Sequence, residues 1–241
     1  MNLLIKMMML SSLILFFNSA IATERGISLS QTRVIFDGNL KNAKITINNQ
    51  SERVYLVKSS VQVTPEKEVI SENIPFMVTP PLFRLERNSR NTVLIIANDV
   101  SSLATDRETV FYLSFLAIPS VNKIDQDKND VLQSQVSIGI RSVIKLFYRP
   151  NGLNYPINSA PGDLIFKKVN DQLRIENPTP YHINLAQLKI DNKLFDLREK
   201  STMLAPYSTQ EYSLKGNVRQ VSWSVITDHG GLSQLYHTYL K

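Results

Sequence analysis

Apolar and polar residues alternate with a period of two along much of this chain, and the longest such stretch covers residues 131–148. In its first half one face carries Leu132, Ser134, Val136, Ile138 and Ile140. The other face carries Gln133, Gln135, Ser137, Gly139 and Arg141. Such alternation indicates a half-buried strand. The aliphatic row is therefore predicted to form a surface that is covered only part of the time.

The second half of this stretch, residues 143–148, is more continuously apolar and predicts a core strand, although Lys145 interrupts it. A cation in such a run is usually paired or functional, because an isolated buried charge is costly. We therefore predict one long strand with two roles. Its C-terminal half holds a domain together, and its N-terminal half offers aliphatic side chains to another molecule.

Short alternating segments bounded by turn residues fill the rest of the chain and predict further strands. Before residue 149 these are 27–36, 43–48, 54–63, 76–86 with a break at Pro80 and Pro81, 92–97 and 109–118. After it they are 164–169, 172–176, 181–190, 194–197, 210–214, 218–227 and 232–240. This spacing predicts an all-β protein, with an immunoglobulin-like sandwich before residue 149 and a second, smaller all-β unit after it, which we place at residues 23–148 and 149–241.

The first 22 residues have the features of a secretory signal peptide. Lys6 provides a positive start, residues 7–17 form an apolar core too short for a membrane span, and residues 20–22 form a small-residue cleavage site. We therefore expect an exported, soluble chain that begins near Thr23. The chain has no cysteine, so its stability must come from core burial and thiol catalysis is excluded.

Composition and motifs argue against nucleic-acid binding and against catalysis. The net charge of +6 is spread along the chain, which fits an acidic protein partner or simple solubility. His182, His229 and His237 lack metal-ligand spacing, and no phosphate-binding loop, nucleophile elbow or dinucleotide-binding glycine pattern is present. We predict that the protein is not an enzyme, has no catalytic residues, and uses neither a metal, a cofactor nor ATP.

Two cations stand between apolar neighbours on predicted strands, namely Arg33 and Lys145. Each taken alone is explained by an ion pair or by a side chain that extends its charge to solvent. If the two strands lie side by side, however, the two cations form a receptor for a carboxylate, held by charge-assisted hydrogen bonds. Capture of a chain terminus is one known use of such a site.

Seven segments carry a family resemblance over essentially the whole mature chain. They are residues 32–36, 78–86, 106–108, 118–119, 144–150, 175–181 and 228–231, and the fifth is Ile144-Lys145-Leu146-Phe147-Tyr148-Arg149-Pro150. In these motifs and in their order the chain resembles the periplasmic pilus (fimbrial) chaperones of the chaperone–usher pathway, the PapD-like family. The resemblance implies two immunoglobulin-like domains in a boomerang arrangement.

The resemblance also implies a function, which is to bind, fold and cap pilus subunits by donor-strand complementation and to deliver them to an outer-membrane usher. Arg33 and Lys145 would anchor the C-terminal carboxylate of the subunit. The row Leu132, Ser134, Val136, Ile138 and Ile140 would fill the groove that the subunit leaves open. When free, the same aliphatic edge could drive self-association.

Three charged residues, Glu108, Arg149 and Asp228, are implied to form an inter-domain ionic cluster that fixes the angle between the domains. The alternative is three unrelated surface charges, worth about 0–1 kcal/mol per exposed pair. Family members with a long loop before the last strand usually carry a cysteine pair where this chain has Ser114 and Val143. The loop here is of intermediate length, so a rigid rod and a thin, flexible fibre both remain open as the final assembly.

The main alternative function is that of an exported fibre subunit or adhesin. A self-assembling subunit should carry a donor segment close after the cleavage site, whereas residues 23–30 are short and polar. A carbohydrate-binding site would need clustered aromatic residues, but Trp223 is the only tryptophan and lies in a predicted core strand. An exported hydrolase is the third option, and it lacks any catalytic constellation.

Overall fold

The computed structural model describes residues 26–66, 74–120, 137–198 and 200–240, and within these ranges every regular element is a β-strand. In the described part of the chain no helix is long and apolar enough to span a membrane. The all-β class predicted from the alternation is thereby confirmed. The predicted signal peptide lies outside the described residues.

The first half of the chain forms a sandwich of two sheets. Its strands are β1 (Ile27–Leu29), β2 (Arg33–Asp37), β3 (Asn42–Asn49), β4 (Tyr55–Gln62), β5 (Phe76–Thr79), β6 (Leu82–Leu85), β7 (Ser89–Ala97), β8 (Thr109–Pro119) and β9 (Ile140–Arg149). One sheet has the order β1-β3-β7-β5 and the other β2-β9-β8-β4-β6. The apolar faces of the two sheets meet in a core that includes Ile45, Val93, Phe36, Leu113 and Leu146.

Two predicted strands are each divided between the two sheets. The predicted strand 27–36 becomes β1 and β2, and β1 pairs with β3 while β2 lies parallel to β9. Residues 76–86 are divided at the predicted proline break into β5 and β6, which also belong to different sheets. The chain therefore closes the ends of this sandwich by passing from one sheet to the other. A single continuous strand over residues 27–36 was a wrong prediction.

The second half of the chain forms a smaller sandwich. Its strands are β10 (Ile165–Val169), β11 (Gln172–Glu176), β12 (Ile183–Ile190), β13 (Lys193–Leu194), β14 (Met203–Leu204), β15 (Thr209–Ser213), β16 (Gln220–Val225) and β17 (Tyr236–Tyr239). The sheet β10-β11-β15 packs on the sheet β13-β12-β16-β17, to which β14 adds through β12. Trp223 is buried at the centre, next to Phe166 and Tyr236.

A buried asparagine ties together the loops at one end of the first sandwich. The side chain of Asn49 accepts hydrogen bonds from the backbone N–H and the hydroxyl of Ser51, at 3.0 and 2.8 Å. Its amide NH2 group donates to the carbonyl oxygens of Arg53 and Glu86, both at 2.7 Å. Both ends of this buried amide are therefore satisfied, as buried polar groups usually are.

The second sandwich repeats this arrangement with Asn177. Its side-chain oxygen accepts from the backbone N–H and the hydroxyl of Thr179, at 3.1 and 2.8 Å. Its NH2 group donates to the carbonyl oxygens of Tyr181 and Ala205, at 2.7 and 2.9 Å. The two sandwiches thus share a structural device that the sequence did not reveal as a repeat.

A cluster of charged side chains joins the two sandwiches. Arg149, at the end of β9, donates from Nε to Glu108 Oε1 (2.8 Å) and from Nη1 to Asp228 Oδ2 (2.8 Å). The second oxygen of Glu108 accepts the backbone N–H of His182 at 2.8 Å. Burial lowers the pKa of Arg149, but the hydrogen bonds and charges of Asp228 and Glu108 outweigh burial, so the pKa is raised above its ordinary value.

A close backbone approach lies beside this cluster. Gly230 has φ of 81°, a conformation that suits glycine, and a Cβ atom at this position would collide with the hydroxyl of Thr32. The backbone N–H of Glu108 also donates to the carbonyl oxygen of Pro180 at 2.9 Å. Glu108, Arg149 and Asp228 therefore meet, as the resemblance implied, whereas their role in fixing the angle between the domains stays a prediction.

Replacing Glu108 by Gln should destabilise the protein, because the substitution leaves the charge of Arg149 only partly compensated and removes an acceptor for His182. The side chain of Glu108 is 2% exposed, so the loss should be on the order of 3 kcal/mol, as for a broken buried ion pair. Urea unfolding followed by the fluorescence of Trp223 measures it. The matched control is Asp196→Asn, which breaks an exposed pair with Arg198 and should leave stability unchanged. Equal effects of the two substitutions would contradict a structural role for the cluster.

Candidate functional site

The two cations that the sequence singled out are neighbours in the sheet. β2 and β9 are parallel, and their register pairs Arg33 directly with Lys145. The next pair in the register, Val34 and Leu146, is buried in the core. Since side chains alternate between the faces of a strand, Arg33 and Lys145 both lie on the face turned away from this core.

Arg33 lies against the second sandwich and is only 8% exposed. Its Nη1 donates to the carbonyl oxygen of Ile226 at 3.3 Å, and its guanidinium carbon lies 5.9 Å from the centre of the Phe147 ring. Its buried Nε has no hydrogen-bond partner among the described residues. Burial lowers the pKa of Arg33, although the charges of Asp228 and Glu108 partly oppose this shift.

Lys145 is held by the side-chain amide of one residue of the second sandwich. Its Nζ donates to the side-chain oxygen of Asn184, which lies on β12 of the second sandwich. Burial, with a further contribution from the charge of Arg33, lowers the pKa of Lys145 to about 8. Within the described ranges, neither Lys145 nor Arg33 has a carboxylate within ion-pair distance. Two adjacent cations without a counter-ion form an arrangement suited to binding an anion.

The described part of the aliphatic row is exposed. Ile138 is 75% exposed and Ile140 is 51% exposed, although both lie in a stretch where alternate residues further along enter the core. Leu132, Ser134 and Val136 lie outside the described residues. Ile140 pairs with Ala117 of β8, whereas residues 137–139 have no strand pairing, so among the described residues the predicted long strand is paired only from Ile140 onward.

Arg141 is a residue that the sequence placed on the polar face without assigning it a role. Its guanidinium donates to the Ser114 hydroxyl (3.0 Å), to Gln62 Oε1 (2.7 Å) and to the carbonyl oxygens of Glu66 and Pro65 (3.2 and 3.3 Å). These contacts tie the beginning of β9 to β8, to the end of β4 and to the loop after it. The first paired residues of β9 are therefore fixed from the side opposite to Ile140.

The two positions that correspond to the expected cysteine pair face each other. Ser114 of β8 and Val143 of β9 are directly opposite in the antiparallel register. In this chain the place of the pair is taken by a hydroxyl, bound by Arg141, and by an aliphatic side chain. The link between the two strands here is non-covalent.

The side chains around the two cations can be compared with the ligand sets that metal ions need. Across the described residues, no group of three or more His, Cys, Asp or Glu side chains is arranged to hold a metal ion. His182 makes a tilted ring contact with Phe147, with ring centres 5.3 Å apart, and its Nδ1 lies 3.4 Å from Glu108 Oε2. This histidine is part of the contact between the sandwiches.

Both halves of the chain match domains of one family. Residues 26–154 match the N-terminal domain of the pili and flagellar-assembly chaperone PapD, and residues 159–237 match the C-terminal domain of the pili assembly chaperone PapD. Together the two matches span both sandwiches, including the two cations, the ionic cluster and the exposed edge formed by Ile138 and Ile140. A family of assembly chaperones also agrees with the prediction that the protein is not an enzyme.

Individual proteins show the same similarity. A probable fimbrial chaperone of Escherichia coli O157:H7, LpfB, is 36% identical over 214 residues, which are 87% of each chain. A solved complex of the Salmonella enterica SafA pilin with the SafB chaperone matches 91% of this chain and 99% of its own chain, with a TM-score of 0.75 and 30% identity. The Escherichia coli chaperone DraB matches 90% of this chain and 97% of its own, with a TM-score of 0.74 and 30% identity.

The two-sandwich fold, the family matches and the similarity to solved chaperones agree with one another and with the motifs of the sequence. The chain belongs to the PapD-like family of pili assembly chaperones.

Proposed function

We propose that this chain is a periplasmic chaperone that lends a strand to pilus subunits and holds each subunit by its C-terminal carboxylate. The observation that carries the proposal is the side-by-side placement of Arg33 on β2 and Lys145 on β9, the strand that begins beside the exposed Ile138 and Ile140. Family membership and the similarity to a chaperone solved with a pilin support the same function. The periplasmic location and the signal peptide of residues 1–22 stay predictions, as do the domain limits 23–148 and 149–241.

A C-terminal carboxylate suits the two cations in charge and in shape. The planar guanidinium of Arg33 can bind one or both carboxylate oxygens, and the ammonium of Lys145 adds a charge from the adjacent strand. Both cations are partly removed from water, so their attraction to an anion is stronger than on an open surface. Because a chain has one C-terminal carboxylate, this contact fixes one defined point of the subunit.

The exposed edge would supply the second contact. A subunit that lacks a strand leaves unpaired backbone groups and an apolar groove, and an added strand satisfies both. Ile138 and Ile140 are exposed in the free protein and available for this purpose. Burying each of them is worth roughly 1.5–3 kcal/mol, part of which is offset by the cost of association.

Anchor and edge depend on each other through the register of the strand. A shift of one residue would turn Gly139 and Arg141 toward the groove in place of Ile138 and Ile140. The anchor at Lys145 lies on the same strand as Ile140, so a bound carboxylate sets which side chains face the subunit. The tie of Arg141 to Gln62 and Ser114 supports the same register from within the chaperone.

Delivery would follow from the same exchange of strands. At an outer-membrane usher the chaperone strand would be replaced by a strand of the next subunit. No nucleotide is needed, because the subunit completes its folding only in this exchange and the folding free energy released then drives it. In the absence of a subunit, the exposed edge could pair with a second copy of this chain. Both steps rest on the chemistry of an unpaired strand edge.

Replacing Lys145 by Met should abolish subunit capture and leave the chaperone folded. The apolar stem is kept while one of the two charges of the anchor is lost, and loss of one partner of a buried charge pair lowers affinity by at least about 30-fold. Co-expression with candidate pilus subunits, followed by purification and mass analysis of the complex, measures capture.

The control for this experiment is Lys44→Met, which removes an exposed cation from β3 and should leave capture unchanged. Circular dichroism should show both variants folded. Normal recovery of subunit with the Lys145 variant would show that the carboxylate is not bound here.

Replacing Ile138 by Asp should block complex formation, because the substitution places a charge where an aliphatic side chain enters the groove. The fold should not change, since Ile138 is 75% exposed. The matched control is Leu194→Asp, at an equally apolar position that is 68% exposed in the second sandwich. Size-exclusion chromatography of the co-expressed proteins measures the complex. An unchanged complex with the Ile138 variant would argue against insertion of this residue.

The lowered pKa of Lys145 predicts that raising the pH has opposite effects on the stability of the free chaperone and on its affinity for a carboxylate. Between about pH 8 and pH 10.5 the unfolded chain keeps a proton on Lys145 that the folded chain has lost, so the stability of the free chaperone should rise with pH in this window. Carboxylate binding should weaken over the same window, because Lys145 becomes neutral. Comparison with Lys145→Met separates the contribution of Lys145 from the contributions of Arg33 and of Tyr112, whose pKa is raised by burial. Parallel stability profiles of the two proteins would contradict the assignment.

A further inference from the structure

Asn184 is a residue of the second sandwich whose side chain binds one member of the cation pair. It lies near the start of β12 and is 2% exposed. Its backbone carbonyl accepts the N–H of Ile226 at 2.9 Å, and the carbonyl of Ile226 accepts Arg33 Nη1 at 3.3 Å. Asn184 is therefore linked to Lys145 through its side chain and to Arg33 through its backbone.

The amide of Asn184 is satisfied at one end only. Its oxygen accepts from Lys145 Nζ, but its buried NH2 group has no hydrogen-bond partner among the described residues. The buried Nε of Arg33 is in the same state. A buried donor without a partner is costly and uncommon in folded proteins.

Two other buried asparagines of this chain show that the fold can satisfy such a side chain completely. Asn49 and Asn177 each use both ends of the amide, accepting two hydrogen bonds and donating to at least two carbonyl oxygens. Asn184 differs from them in having a free donor next to two cations that have no carboxylate partner. This combination indicates a binding role rather than a purely structural one.

We propose that Asn184 is the third member of the carboxylate site, contributed by the second sandwich. Its side-chain oxygen positions the ammonium of Lys145 before binding, and its NH2 group donates to an oxygen of the bound carboxylate. A carboxylate accepts several hydrogen bonds, so it can bind the guanidinium, the ammonium and the amide together. This inference rests on the proposed function and adds a residue that positions the anchor.

One consequence is that both sandwiches must keep their relative placement for the anchor to work. Arg33 and Lys145 come from the first sandwich, whereas Asn184 comes from the second. The ionic cluster of Glu108, Arg149 and Asp228 joins the same two units. Binding of a chain terminus is thereby coupled to the contact between the sandwiches.

Three substitutions of Asn184 test the proposal. Thr keeps one group that can both accept from Lys145 and donate to a carboxylate, whereas Val has nearly the same shape and can do neither. Asp places a carboxylate beside Lys145 and Arg33 and so supplies an internal counter-ion. The probe is the synthetic C-terminal peptide of the subunit that co-purifies with the wild-type chain, made as the free acid and as the C-terminal amide.

Isothermal titration should show the free acid binding Asn184→Thr within about threefold of wild type, and Asn184→Val and Asn184→Asp at least about tenfold more weakly, which corresponds to 1.4 kcal/mol. Asn184→Asp should also melt at a higher temperature than wild type and should no longer distinguish the acid from the amide. A purely structural role would not produce this combination. Equal binding by the Thr and Val variants, or undiminished binding by the Asp variant, would overturn the proposal.

The outcomes separate this inference from the proposed function. If Lys145→Met loses the acid peptide while all three Asn184 variants keep it, the anchor stands and Asn184 has no part in it. If wild type captures no subunit, or Lys145→Met binds the peptide as well as wild type, the proposed function itself fails.

Discussion

The parallel pairing of β2 with β9 is the constraint on which the rest of the structure depends. This register places Arg33 beside Lys145 on one face, while their neighbours Val34 and Leu146 enter the core on the other. The core fixes the two strands, and the strands hold two like charges together against their repulsion. Burial, together with that repulsion, lowers the pKa of Lys145 to about 8, so a bound anion would stabilise the charged form of the site.

Strand β9 combines three tasks in the order of its residues. Ile140 begins the paired strand beside the exposed edge, Lys145 is part of the cation pair, and Arg149 closes the ionic cluster at the junction with the second sandwich. The odd-numbered positions from Lys145 onward serve the contact with the second sandwich, and the even-numbered positions from Ile144 onward serve the core. A strand that is fixed along its length can present the exposed side chains at its start, Ile138 and Ile140, in a defined direction. Donation of a strand to a partner requires this.

The local pattern of apolar and polar residues was sufficient to predict most strands. It was not sufficient to predict contacts between residues that lie far apart in the sequence. The alternation predicted most strands, and Pro80 and Pro81 predicted the break between β5 and β6. The crossing between β1 and β2 was missed, because no proline or glycine marks residues 30–32. The sequence predicted that Arg33 and Lys145 meet only if their two strands lie side by side. The ionic cluster was predicted from the family resemblance. Asn184 and Arg141 were missed because their partners lie far away in sequence.

The central claim is that a partner chain ends at Arg33 and Lys145 and accepts a strand from the adjoining edge. A crystal structure of the chaperone with the subunit that it captures tests this claim most directly. The account predicts a terminal carboxylate within hydrogen-bond distance of both cations, with Ile138 and Ile140 buried in the subunit. A complex in which the C-terminus of the subunit lies elsewhere, or in which Ile138 remains exposed to solvent, would contradict it.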